Sequence, residues 1–372
     1  MTNVFDYLAW RGDLNFTQVP FSDVDALILS LISYIDFEGV VSGKQGGKTV
    51  SLKDAARTFF AQRPDREKIS LGALVPKEIV DLLDQARKSS RFADLQMGGF
   101  VNSVSIEEET QFCALTFFLP NGEVVVTFRG TDDTIVGWRE NCNMSFCERV
   151  PAQISAATYL DETAKLFPER PIIVTGHSKG GNLAAAATFY CKEEVLPLIQ
   201  VTYNLDGPGS LLENWYGDEK FAARRALIKT FVPEHSIVGL LLGHDPDFSP
   251  IKSSQVGILQ HNGLSWAILG NSFVPANSIG KDSQMTCKRL NEWIGEMTIE
   301  RRREVVGAIF SIFSASGATT LSELVAEKSL WIQKCKELDP AIYSTLEEVF
   351  LALIKPQKKK ETKSFFLEIF KK

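Results

Sequence analysis

Ile172-Ile173-Val174-Thr175-Gly176-His177-Ser178-Lys179-Gly180-Gly181-Asn182-Leu183-Ala184-Ala185 decides the fold. A β-branched run of four reads as a buried strand, and the Leu-Ala-Ala run as a helix. Between them lies Gly176-x-Ser178-x-Gly180, the nucleophile-elbow pattern, in which a serine is presented on a sharp strand-to-helix turn. Side chains two residues to either side of that serine would collide with the turn, so both positions require glycine. A glycine-rich turn with an inert serine is the alternative, and the flanking strand and helix argue against it.

Working outward, the same alternation continues. Helices are predicted over 152–167, 182–191 and 221–226, and strands over 172–175, 201–205 and 228–232, with a last strand ending near Ile258. Short strands alternating with helices predict a mainly parallel sheet covered on both faces. Upstream, Pro120-Asn121-Gly122-Glu123 joins apolar runs at 112–119 and 124–128 as a hairpin. Residues 1–105 read as mostly helical, with a helix in 21–37 and Asp23 and Asp25 in its first turn. A capping-box spacing follows at Ser51–Asp54, and a helix starts with Pro76 at its first position. Beyond 275 the pattern turns helical again, over 300–313, 321–334 and 341–354. The expected division is a helical N-terminal segment (1–105), a sheet core (106–274) and a helical C-terminal segment (275–372). At least one flanking segment is expected to cover the active-site edge of the sheet.

Of the 372 residues 44% are hydrophobic and 23% charged, which suits a globular chain and excludes disorder. A net charge of −6 argues against nucleic acid as a partner, since phosphate binding needs a basic surface. No apolar run reaches the roughly 18 residues of a membrane span. No signal peptide is visible at Met1–Asp6. Cys113, Cys142, Cys147, Cys191, Cys287 and Cys335 lack paired metal-ligand spacing and read as reduced thiols, so a cytoplasmic location is expected. The basic tail from Lys355, with Phe365, Phe366, Leu367, Ile369 and Phe370, could lie on an anionic membrane. A frayed or docked chain end is the preferred reading.

Serine is a poor nucleophile without a base, normally a histidine oriented by a carboxylate. Of four histidines, His177 adjoins the nucleophile and is directed away from its hydroxyl, while His235 and His244 precede the last strand. His261 lies after that strand, where the order Ser…acid…His puts the base; it is favoured over His244. Two acids follow strands at the carboxyl edge, where ligands bind. Asp206 stands in Asp206-Gly207-Pro208-Gly209, and Glu234 follows the next strand. Asp206 is preferred, with a turn-capping role as its alternative. The oxyanion hole needs two donors: the backbone N–H of Lys179, and Thr131 in the glycine-containing turn Phe128-Arg129-Gly130-Thr131. No metal or organic cofactor is required.

These segments resemble the class 3 lipases, whose oxyanion threonine and nucleophilic serine sit in Phe128–Thr131 and Gly176–Gly181. The chain more closely resembles an uncharacterised bacterial family of lipase-like α/β-hydrolases. That likeness runs through Tyr7-Leu8-Ala9-Trp10-Arg11-Gly12-Asp13, Gly137-Trp138-Arg139-Glu140-Asn141, Gly176–Ala184, Asp206–Gly209, Ser236-Ile237-Val238-Gly239 and Gln260-His261. It covers roughly the first 70% of the chain and implies an α/β-hydrolase-like fold with Ser178 as nucleophile and His261 as base. Lys179 departs from the apolar residue usual after the serine, which argues against a wholly apolar acyl pocket. The expected function is a serine esterase acting on a small acyl ester or lipid-like substrate through an acyl-enzyme. A thioesterase or amidase with the same triad, or a hydrolase-shaped binding module, are the alternatives.

Overall fold

Alternate residues of the central strands face two separate cores, and this divides the molecule. Val125, Ile173, Phe117 and Leu205 point to one side, whereas Val124, Val126, Ile172 and Val174 point to the other. The structure, a computed structural model, describes residues 1–326.

In chain order the elements are α1 (Val4–Arg11), α2 (Asp23–Ile32), β1 (Val50–Ser51), α3 (Leu52–Gln62), α4 (Ile79–Ala86), β2 (Gln96–Ser105), β3 (Thr110–Phe118) and β4 (Val124–Phe128). There follow α5 (Ile135–Asn143), α6 (Pro151–Leu166), β5 (Ile172–His177), α7 (Lys179–Tyr190), β6 (Ile199–Leu205), α8 (Ala222–Arg225) and β7 (Ile228–Pro233). The last are β8 (Ser249–Ile251), β9 (Ile268–Leu269), β10 (Ser272–Phe273), α9 (Lys281–Glu296), α10 (Ile299–Ala315) and α11 (Leu321–Ala326). Strands β1 to β8 form one sheet in sequential order, antiparallel from β1 to β4 and parallel from β4 to β8. This is an α/β-hydrolase-like, mostly parallel sheet with helices on both faces.

Crossovers between parallel strands take one hand, so a sequential order puts their helices on one face. Helices α6 and α7 pack there, on Val124, Val126 and Val174. The opposite face is covered by the N-terminal segment, which explains why every residue of α2 is buried. Ser22 and Asp25 form the capping box of α2, and Asp25 also pairs with Arg91 at 2.6 Å, both side chains fully buried. The Tyr7 hydroxyl donates to Asp25 at 3.0 Å, which is what the Tyr7–Asp13 motif contributes.

Several sequence expectations are corrected. The helical reading of 1–105 omits β2, whose Gly98-Gly99 and polar Asn102-Ser103 hide its strand character. A register shift between Gly98 and Val101 accommodates the glycines. Helix α4 starts at Ile79, because Pro76 instead sits in a turn whose carbonyl accepts from the Ile79 N–H. The last strand of the sheet ends at Ile251 rather than near Ile258; it is a short edge strand that tolerates Pro250. Residues Gly257–His261 form a 3₁₀ turn instead.

At the C-terminal side, Val306 and Phe310 of α10 pack on Ile135 of α5 and on Phe146 just after it. The chain then returns to the loop before α5, where Thr319 accepts from the Ile135 N–H and Leu321 donates to the Asp133 carbonyl. The predicted helix 341–354, most of 321–334, Cys335 and the basic tail lie outside the described residues. Among the described residues no helix is long and apolar enough to cross a membrane.

Candidate active site

Ser178 joins β5 to α7 with φ 61° and ψ −132°, a strained backbone that an L residue adopts only where its surroundings enforce it. The surroundings do so. A Cβ at Gly176 would overlap the Gly180 carbonyl, and one at Gly180 would overlap the Phe128 carbonyl. The Ser178 N–H is held by the Leu205 carbonyl at 3.0 Å.

Asp206 follows β6 in the left-handed region (φ 55°) and is fully buried. The turn amide it could have capped, the Gly207 N–H, instead bonds Asn204 Oδ1 at 3.0 Å. Its carboxylate is therefore free for other donors. Ser236 Oγ donates to Oδ1 at 2.6 Å, and His261 Nδ1 donates to Oδ2 at 2.6 Å. Gly239 is required beside it, because a Cβ there would strike Asp206 Oδ1. Glu234 makes no such contact: its backbone continues the sheet edge by bonding the Ile251 carbonyl, and it has no hydrogen bond to His261.

The His261 turn is fastened by its neighbour. Gln260 accepts from the His235 N–H at 2.8 Å and donates to the Gln255 carbonyl at 2.9 Å. The Trp266 indole N–H bonds the Gln260 carbonyl. His177 adds a contact that sequence reasoning missed. Its side chain is indeed not spent on Ser178, but its Nε2 donates to the His261 carbonyl at 2.8 Å, and the two rings lie 4.7 Å apart. Burial, together with the nearby His261, pushes the His177 pKa down to about 3, so its ring is neutral at ordinary pH. The Tyr34 hydroxyl lies 3.4 Å from His177 Nδ1. His244 packs instead against Phe248, away from this cluster. Among the described residues, no hydrogen bond joins Ser178 Oγ to His261.

On the other side of Ser178, Thr131 Oγ accepts from Asn141 Nδ2 at 2.7 Å, which leaves the threonine proton free to donate elsewhere. Arg129 bonds Asn102 and Asp132, and Asp132 in turn holds Thr134, so the loop is fixed from both ends. Lys179 corrects a second expectation. Its side chain does not reach toward an acyl pocket but is buried, with Nζ donating to the Gln111 carbonyl at 2.7 Å and pairing with Glu140. Burial lowers its pKa, and the Glu140 charge opposes that shift.

With this geometry in place, a family assignment follows from the sequence match. The Mbeg1-like family model matches residues 86–311. The chain belongs to the Mbeg1-like family. No curated protein matches it. Similar solved structures include a deletion mutant of the Rhizomucor miehei lipase–propeptide complex, 16% identical, covering 64% of this chain and 77% of that one at a TM-score of 0.36. An MDLA variant from Penicillium cyclopium is 13% identical, with 68% and 84% covered and a TM-score of 0.36. The Lip2 lipase from Yarrowia lipolytica is 11% identical, with 48% and 82% covered and a TM-score of 0.31.

Proposed function

We propose that this Mbeg1-like chain is a lipase-like serine hydrolase that cleaves carboxylic esters through an acyl-enzyme on Ser178. The observation that carries this reading is the 2.6 Å bond from His261 to a fully buried Asp206, beside a serine on a strained elbow. A carboxylate on Nδ1 fixes the tautomer that leaves Nε2 free to accept a proton. His261 takes the Ser178 proton as Oγ attacks the acyl carbon, and Asp206 stabilises the imidazolium that forms. The carbonyl oxygen gains negative charge and is met by the Lys179 N–H and by Thr131. His261 then returns the proton to the leaving alcohol, and water repeats the sequence to free the acid. The partner is a small acyl ester or lipid-like substrate.

A hydrolase-shaped binding module is a second reading, favoured by the absence of a Ser178–His261 hydrogen bond among the described residues. Such bonds often tighten only when substrate is bound. Hydrolysis of p-nitrophenyl esters of graded chain length tests the choice. The hydrolase reading expects turnover of at least one chain length, abolished in Ser178→Ala. Equal rates in the wild type and Ser178→Ala overturn it.

A further inference from the structure

Lys179 occupies a position that physical chemistry disfavours twice. It is the first residue of α7, where the helix dipole repels a cation. It is also buried, where an ammonium gives up its hydration and needs close partners to compensate. The pairing is extensive. Glu140 Oε2 accepts from Lys179 Nζ and from the Gln111 N–H at 2.9 Å. Glu140 Oε1 accepts from Thr110 Oγ at 3.0 Å and from the Ala152 N–H at 2.8 Å. One fully buried carboxylate thus gathers donors from β3, from the start of α6 and from the elbow helix α7.

The next residue on α5 is Asn141, which holds the Thr131 hydroxyl. Consecutive residues of one helix therefore hold the two groups assigned to the oxyanion hole, Lys179 through its side chain and Thr131 through its hydroxyl. We propose that the buried Lys179–Glu140 pair is a positioning device that sets the separation of the Lys179 N–H and Thr131. The proposal rests on the serine-hydrolase reading. It also assigns a role to the Gly137–Asn141 segment: Glu140 and Asn141 tie the two halves of the hole to α5. A tenth-nanometre misplacement of a catalytic group costs up to about 10²-fold, so a rigid strut at this point is worth its desolvation.

The test compares the wild type with Lys179→Met/Glu140→Gln, which removes both charges while nearly conserving volume. Three quantities are read: kcat and KM on a p-nitrophenyl ester, inhibition by a trifluoromethyl ketone whose hemiketal oxygen occupies the hole, and Tm. The expected result is a folded protein with kcat lowered about 10- to 100-fold, KM within about twofold, and inhibitor affinity weakened by the same factor as kcat. A purely structural role would move Tm and leave kcat of the folded fraction alone; kcat and inhibitor affinity within about threefold of wild type overturn the proposal. Should the double variant not fold, Lys179→Met alone is used, since Glu140 keeps its donors from Thr110, Gln111 and Ala152, with kcat down about 5- to 20-fold expected and kcat within twofold contradicting. Wild type without Ser178-dependent turnover would sink the hydrolase reading and this role with it. Active wild type with unaffected variants sinks only the positioning role.

Discussion

Asp206 and His261 stand on loops stitched together by hydroxyls, amides and a neutral imidazole, whereas the two groups proposed as oxyanion donors are tied to a helix anchored by a buried ion pair. On the base side each stitch is a single hydrogen bond: Ser236 to Asp206, Gln260 to the His235 N–H, His177 to the His261 carbonyl. On the oxyanion side Glu140 collects four donors at once. The difference teaches where damage should appear. Removing a neutral stitch leaves a small unpaired dipole, so its cost falls mainly on catalytic geometry. Removing one member of a buried ion pair strands a charge, so its cost falls first on folding.

The largest effect is expected at the acid. Asp206→Asn should lower turnover by about 10⁴ with KM nearly unchanged, because it removes the charge that stabilises the imidazolium. Glu234→Gln should stay within about twofold, and steady-state kinetics on both variants checks this. Collapse in Glu234→Gln with activity retained in Asp206→Asn would reverse the assignment. Next comes Glu140→Ala, which should destabilise the protein by about 3–5 kcal/mol, measured by urea unfolding. A loss below about 1 kcal/mol would erase the contrast between the two sides. Thr131→Val should keep its fold and slow turnover by up to about 10²–10³ if the hydroxyl itself donates. An unchanged rate would leave only backbone donors in the hole.

The smallest effect separates the sides by pH. His177 has a native pKa near 3, against the ordinary value of 6.5. Below about pH 6.5 the unfolded chain takes up a proton that the native state refuses, so stability falls as pH drops from 6.5 toward 3. One such proton steepens the dependence by up to about 1.4 kcal/mol per pH unit. His177→Gln should remove that slope between pH 4 and 6, measured by urea unfolding at each pH. His244, also depressed by burial, contributes equally to both proteins and cancels. Identical slopes would mean that His177 is not held neutral by its site.

Much of this architecture was legible in the sequence because it is local. The elbow, the Pro120–Glu123 hairpin and the alternating strands and helices depend on residues within a few positions of one another. That Asp206 and His261 meet, 2.6 Å apart, was legible through strand order and the carboxyl edge. What escaped depends on distant partners. Strand β2 gains its strand character by pairing with β3 and, at its start, with β1, since Gly98, Gly99, Asn102 and Ser103 have little β preference of their own. Lys179 reads as a cation near the substrate until Glu140, 39 residues earlier, is placed beside it. Likewise His177 reads as a bystander of the elbow until the turn at His261, 84 residues later, folds over its ring. The run Gly137-Trp138-Arg139-Glu140-Asn141 carries a family resemblance but no chemistry that points to Lys179 or Thr131.

The central claim is that Ser178 is an activated nucleophile with His261 as its base, and labelling by a fluorophosphonate probe addresses it most directly. Wild type should be labelled on the peptide that contains Ser178, Ser178→Ala should not be labelled at all, and His261→Ala should label at least about 10³-fold more slowly. An unlabelled wild type, or equal labelling of wild type and Ser178→Ala, would contradict the account.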